Sequence, residues 1–180
     1  PLLKTMDELI KSTAKISFKS DAPTVVSAES DDLAECIEHI GKFLLVALDC
    51  EGVDLCRMGK ICLIQLSTIE RSFLFDVNDI LLDEPLVAFL KDILENPDIT
   101  KIIHDCKMDS DALFHLLGIT LRGVHDTQSW DFILQGNEHN LNRTLMAYGF
   151  RPNEERDGSV YDRNISFWAT RPLTPQMIDW

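Results

Sequence analysis

Phe43-Leu44-Leu45-Val46-Ala47-Leu48-Asp49-Cys50-Glu51-Gly52 is the stretch on which the reading of this chain turns. Its unbroken apolar opening describes a strand buried on both faces, as in a sheet covered by helices. The run then ends in two carboxylates. Side chains alternate along a strand, so Asp49 and Glu51 face one side while Cys50 faces the other. Two adjacent carboxylates repel each other and are costly to desolvate, and a divalent cation between them reverses that sign. Oxygen donors of this kind suit Mg²⁺ or Mn²⁺ rather than Zn²⁺. Such tripeptides are common, and an isolated D-x-E reads as two acids lying in solvent beyond a strand end.

Working outward, residues 60–68 and 72–77 are further β-type runs, joined by the hairpin-length link Ile69-Glu70-Arg71. Upstream, Thr24-Val25-Val26 is a short β-rich piece. Ser30-Asp31-Asp32 then marks a helix start, with Leu33, Cys36, Ile37 and Ile40 at helical spacing before Gly41. Downstream, Pro85 opens a helix that runs to about Leu94, and residues 101–106 form a short buried strand. Leu113, Leu116 and Leu117 belong to another helix, which stops at Gly118. Residues 124–127 form a strand leading into a helix with Trp130, Phe132, Ile133 and Leu134. Leu141, Leu145 and Met146 lie on a further helix, closed by Gly149. Residues 151–164 are charged, carry Gly and Pro, and read as an exposed loop. Strands alternating with helices, plus one hairpin, predict an α/β domain with a mixed sheet.

The chain has 180 residues, enough for one domain, with 45% hydrophobic and 26% charged residues. That composition excludes a disordered tail, a collagenous repeat and a disulfide scaffold. No apolar run approaches the roughly 20 residues of a membrane span, and no secretory signal opens the chain. It begins at Pro1 and reads as part of something longer. Residues 1–23 are expected to form a helical or polar extension, with Leu3, Met6, Leu9, Ile10 and Ile16 loosely at helical intervals. Residues 24–180 are expected to form the domain proper. The five cysteines show no paired zinc spacing and sit mostly in apolar runs, which favours an intracellular, reducing location, cytoplasm over nucleus. A net charge of −13 argues against a general nucleic-acid binder, yet carboxylates that hold metal are part of that count.

A second acidic group, His104-Asp105-Cys106-Lys107-Met108-Asp109-Ser110-Asp111-Ala112-Leu113, follows a buried strand at the start of a helix. Asp109 and Leu113 are four apart, so Asp109 shares a face with the first core leucine and is aimed inward. Asp105 and Asp111 have a simpler reading, as capping and first-turn acids that complement the helix dipole. His104 is a potential ligand, although a strand-end histidine commonly donates to a backbone carbonyl. Strand C-terminal ends line the ligand crevice of a parallel sheet, where the two acidic groups can meet.

Asp49-x-Glu51, then His104-x-x-x-x-Asp109-x-x-x-Leu113, then His125-Asp126-Thr127-Gln128, resembles the DEDD 3′→5′ exonucleases, the RNase D branch in particular. Phe167-Trp168-Ala169-Thr170-Arg171-Pro172-Leu173-Thr174 is similar to the segment preceding that branch's third motif. The resemblance runs from about Thr24 to the end. The wording around the motifs looks most like the Egalitarian-type subgroup. The fold it implies is the ribonuclease H-like exonuclease fold, a mixed five-stranded sheet flanked by helices.

The activity implied is 3′→5′ exonucleolytic hydrolysis of single-stranded nucleic acid, RNA favoured, releasing nucleoside 5′-monophosphates. By the same resemblance Asp49, Glu51 and Asp109 hold two Mg²⁺ or Mn²⁺ ions, roughly 3.5–4 Å apart. One ion generates the attacking hydroxide and the other stabilises the leaving 3′ oxygen. Gly52, Val53 and His104 lie against the substrate, while Gln65 supports its strand. Two departures follow. Trp180 stands where the third motif has Tyr or His, and an indole, a donor only, cannot deprotonate a water. The fourth metal-binding Asp falls beyond Trp180. The cations available to a substrate track are scattered: Arg57, Lys60, Lys107 and Arg171. The alternative reading is a catalytically weak or silent RNA-binding or protein-interaction module on the same fold, with partners in RNA metabolism.

Overall fold

A computed structural model describes residues 22–28, 30–154 and 166–179. The expected N-terminal helix, residues 155–164 of the expected loop, and Trp180 lie outside the described residues. In chain order the elements are β1 (Thr24–Val26), α1 (Leu33–Ile40), β2 (Leu45–Val53), β3 (Lys60–Ser67), β4 (Ser72–Asp76), α2 (Pro85–Glu95), β5 (Thr100–Ile103), α3 (Lys107–Leu117), β6 (Val124–Asp126), α4 (Thr127–Gln135), α5 (Leu141–Ala147), a 3₁₀ turn (Phe167–Ala169) and α6 (Pro175–Asp179).

The strands form one mixed sheet in the order β1-β4-β3-β2-β5-β6. β2 is central, antiparallel to β3 and parallel to β5, and β6 continues the parallel side. The resemblance implied five strands; Thr24–Val26 adds a sixth, parallel to β4. Burial explains its recruitment. Val26 is wholly buried, and the Arg71 guanidinium ties Thr24 Oγ1 to the sheet at 2.9 Å while also pairing with Glu35 of α1.

β2 departs from the two-face burial that its apolar run suggested. Val46, Leu48 and Cys50 are buried, but Leu45, on the opposite face, is 51% exposed. The reason lies in how the two faces are covered. Leu48, Ile64, Phe73 and Phe75 pack under Leu86, Leu90 and Leu94 of α2 and Leu113 of α3. On the reverse face Cys62, Leu63 and Leu74 are covered by Phe167, Trp168 and Met177, with Val53 packed against them. Each fully buried Leu or Phe contributes about 1.5–3 kcal/mol, so both layers are held chiefly by apolar burial. The reverse face is therefore sealed near Val53 and open near Ala47, and the acids of β2 lie between. Arg171 clamps the covering segment, with Nε and Nη2 each 2.6 Å from the Asp76 carboxylate and Nη2 also donating to the Cys62 carbonyl at 3.1 Å.

Candidate active site

The inward aim of Asp109 depends on the turn that starts α3. Asp105 there adopts φ 56°, in the left-handed region. The Asp126 carboxylate holds this turn by accepting the amides of Asp105 and Cys106, each at 3.1 Å, and those of Gln128 and Ser129 at the head of α4. Burial opposes ionisation of Asp126, but these amides keep its carboxyl below the usual range. Among the described residues the expected Asp105 cap is absent, and Asp126 instead holds the turn ahead of α3 while capping α4. Its signal was present, because an Asp ahead of an apolar helical run is an N-cap pattern.

Asp109 is 7% exposed, and its Oδ1 accepts the Cys50 amide at 3.0 Å. That amide belongs to the residue between Asp49 and Glu51, so the bond ties the head of α3 to the acid-bearing end of β2. Burial pushes the Asp109 carboxyl up to about 6; the charge of Asp49 adds to this and the backbone amides oppose it. Burial also raises the Cys50 thiol well above its usual range, reinforced by the same carboxylates, so it packs as a neutral group.

The pairing of β2 with β3 shifts register between Glu51 and Gly52, just before β2 ends at Val53. A Cβ on Gly52 would stand 2.0 Å from the Lys60 carbonyl oxygen, which leaves room only for glycine. Arg57, in the following loop, binds Asp111 of α3 through its amide at 2.7 Å and its guanidinium at 2.6 Å. Asp111 therefore anchors that loop to the helix carrying Asp109, rather than serving the helix dipole alone.

Beside the acids, a cleft of about 260 Å³ is lined by Ala47, Asp49, Gln65, His104, Thr127 and Leu141 among others. Gln65 stands opposite Asp49 in register, and its Nε2 is buried without a hydrogen-bond partner. His104 Nε2 donates to the His139 carbonyl at 3.0 Å, and Nδ1 meets Thr127 Oγ1 at 2.9 Å. His139 was not foreseen, and no local spacing marks it. Val53 packs in the second core rather than lining this cleft.

The donor chemistry suits a hard divalent cation: Asp109 is tied to the strand that carries Asp49 and Glu51, and burial and the charge of Asp49 leave it reluctant to ionise. Among the described residues, no three His, Cys, Asp or Glu side chains close into a metal cage.

A mixed sheet with two acids on its central strand and a third at the head of the flanking helix defines a ribonuclease H-like, RNase D-like nuclease fold. The family model described as 3′-5′ exonuclease matches residues 24–180, and the chain belongs to that family. The piRNA biogenesis protein EXD1 of Mus musculus is 32% identical over 178 residues, covering 86% of this chain and 30% of that protein. Exosome complex exonuclease RRP6 of Saccharomyces cerevisiae is 28% identical over 174 residues, covering 94% of this chain and 22% of the other. The chain thus spans about a third or less of these relatives. Trypanosoma brucei RNase D in complex with RNA U12 superposes with a TM-score of 0.76 at 22% identity, over 94% of this chain and 60% of that one. No helix among the described residues is long and apolar enough to cross a membrane.

Proposed function

We propose that the domain is a metal-dependent 3′→5′ exonuclease acting on single-stranded RNA. The observation that carries this is the Cys50 amide–Asp109 bond, which ties the inward acid of α3 to the strand that bears Asp49 and Glu51. Asp49, Glu51 and Asp109 would hold two Mg²⁺ or Mn²⁺ ions, which when bound supply an activated water and charge neutralisation at the scissile phosphate. The chain's own groups do the positioning. Gly52 lets the backbone after Glu51 run close to Lys60, and the unpaired Gln65 amide can donate to a phosphate oxygen beside Asp49. His104, held through both ring nitrogens, lines the cleft. The RNA preference rests on similarity to the RNase D and RRP6 proteins.

A second reading is favoured by one residue, Trp180 at the third-motif position. With an indole there, and with the likeness to EXD1, whose name places it in piRNA biogenesis, the fold can serve as an RNA-binding adaptor with little hydrolysis. One experiment separates the two. Labelled single-stranded RNA and DNA are incubated with the protein in Mg²⁺ and in Mn²⁺, beside an Asp49→Ala, Glu51→Ala double variant. The exonuclease reading expects a ladder shortening from the 3′ end, abolished by EDTA and by the double variant. RNA that is bound but never shortened above the variant's background overturns hydrolysis and leaves the adaptor.

A further inference from the structure

The cleft continues past His104. Thr127 and Leu141, two of its walls, also line a second cavity of about 320 Å³ between α4 and α5. Trp130, Leu145, Tyr148 and Phe150 make its wall apolar and largely aromatic. Trp130 is 51% and Phe150 45% exposed, so their ring surfaces stand open to solvent. Trp130 is also held in place, with its ring meeting that of His125 edge-on at 5.0 Å between centroids.

The floor of this groove is rigid. Asp131, buried on α4, takes hydrogen bonds from His139 Nδ1 at 2.7 Å and from Thr144 Oγ1 of α5 at 3.2 Å. The carbonyl of the same His139 accepts His104 Nε2 from the cleft. His139 therefore joins the two compartments, and the groove keeps a fixed position relative to the acids.

Charge singles out the same place. Arg57, Lys60, Lys107 and Arg171 are each paired with a carboxylate, as are Lys42, Arg71 and Lys91. Lys101 is buried against backbone carbonyls. Among the described residues that leaves Arg122, Arg143 and Arg151 without an ion pair. Arg143 sits on α5 itself, and Arg151 directly follows Phe150.

We infer that this groove is a stacking track for the bases of a single-stranded nucleic acid whose 3′ end lies in the cleft, with Arg143 and Arg151 on its phosphates; the inference rests on the exonuclease-fold reading of that cleft. Every base has a π-face, so aromatic walls with few polar groups take bases without regard to sequence. Phosphodiesters need cations that are not already neutralised, and two of the three unpaired arginines sit in the segments that bear the groove's walls, Arg143 on α5 and Arg151 after Phe150.

The test is binding without hydrolysis. In EDTA, fluorescence anisotropy follows a labelled oligouridylate of about ten nucleotides, within the roughly 4–16 that a single-strand site spans. Trp130→Ala and Phe150→Ala are each expected to weaken binding on the order of tenfold, as loss of one stacked base does. Phe114→Ala, which removes an exposed aromatic of α3 outside the groove, should bind as the unaltered chain does. The oligomer should also quench tryptophan emission, and Trp130→Phe, which preserves the packing, should remove that quench. If the oligomer binds but all three alanine variants bind it equally, the groove is not the track, and the nuclease reading stands without it. If no oligomer binds the unaltered chain, the stacking track falls, while the nuclease reading is decided by the hydrolysis assay in Mg²⁺ and Mn²⁺.

Discussion

Asp109 sits where water cannot fully solvate it and where Asp49 repels its charge, so its carboxyl is held up at about 6 from an ordinary value of 3.8. The proton-bound form is favoured in the folded chain. The stability this brings is present in full below about pH 4 and is lost as pH rises through about 6. At pH 8 without metal, the ionised, buried group is a burden on the order of 3 kcal/mol. Asp109→Asn keeps an acceptor for the Cys50 amide and removes the charge. The variant should therefore be more stable than the unaltered chain in EDTA at pH 8, by about that amount, as read from urea unfolding. If Mn²⁺ binds at these acids as proposed, it should stabilise the unaltered chain by mass action and leave the variant's melting temperature unmoved. An asparagine variant that unfolds more easily at pH 8 would show that the buried charge is not costly. The inward aim of Asp109 was legible from its spacing to Leu113, because helical periodicity is local. Its partner, the Cys50 amide, was not, because that bond spans 59 positions.

At the scale of elements, Lys101 shows what a local pattern hides. The sequence reads as a short buried strand there, and β5 is buried, but one of its inward side chains is a fully buried lysine. Its Nζ donates to the carbonyls of Asn96 at 2.6 Å and Ile93 at 3.3 Å, at the end of α2. That helix has no basic residue in its last turn, so Lys101 supplies from the neighbouring strand the positive charge that a helix C-terminus favours. Burial nevertheless pushes the ammonium down to about 8 from 10.5. The folded chain then binds fewer protons than the unfolded one between those values, so stability rises with pH across that window. Compared with Lys101→Met, which has nothing to titrate, the unaltered chain should gain stability as pH goes from about 8 toward 10.5. Parallel denaturation series read the difference, and a flat difference would show that the ammonium is not held down. Strand and helix positions were legible throughout because alternation and the 3.6-residue period are written locally. The sixth strand, the Asp126 cradle and the Lys101 link all depend on which strands become neighbours. The pairing of Ile103 with Asp126 across β5 and β6, for example, appears in no local spacing.

Across the whole molecule, an excess of 30 acids over 17 bases sets the terms on which a polyanion can approach. Arg57, Lys60, Lys107 and Arg171 were the cations the sequence offered to a substrate, and each faces a carboxylate in the fold. An exposed pair is weak, about 0–1 kcal/mol, and can open. The carboxylate it leaves behind still repels phosphate, so opening it gains little. Affinity for a single strand should therefore come more from stacking than from charge, with phosphate contacts confined to a few unpaired arginines. Each phosphate neutralised on a single strand contributes about −0.7 to the slope of log affinity against log salt. Two contacts, at Arg143 and Arg151, predict a slope of about −1.4, and Arg143→Gln combined with Arg151→Gln should flatten it toward zero. Titration of the oligomer across a salt series reads this directly. A slope beyond about −4 would require several more phosphate contacts than this surface leaves unpaired. The strand would then have to run past cations recruited out of their ion pairs, and the acid-rich surface would reorganise on binding.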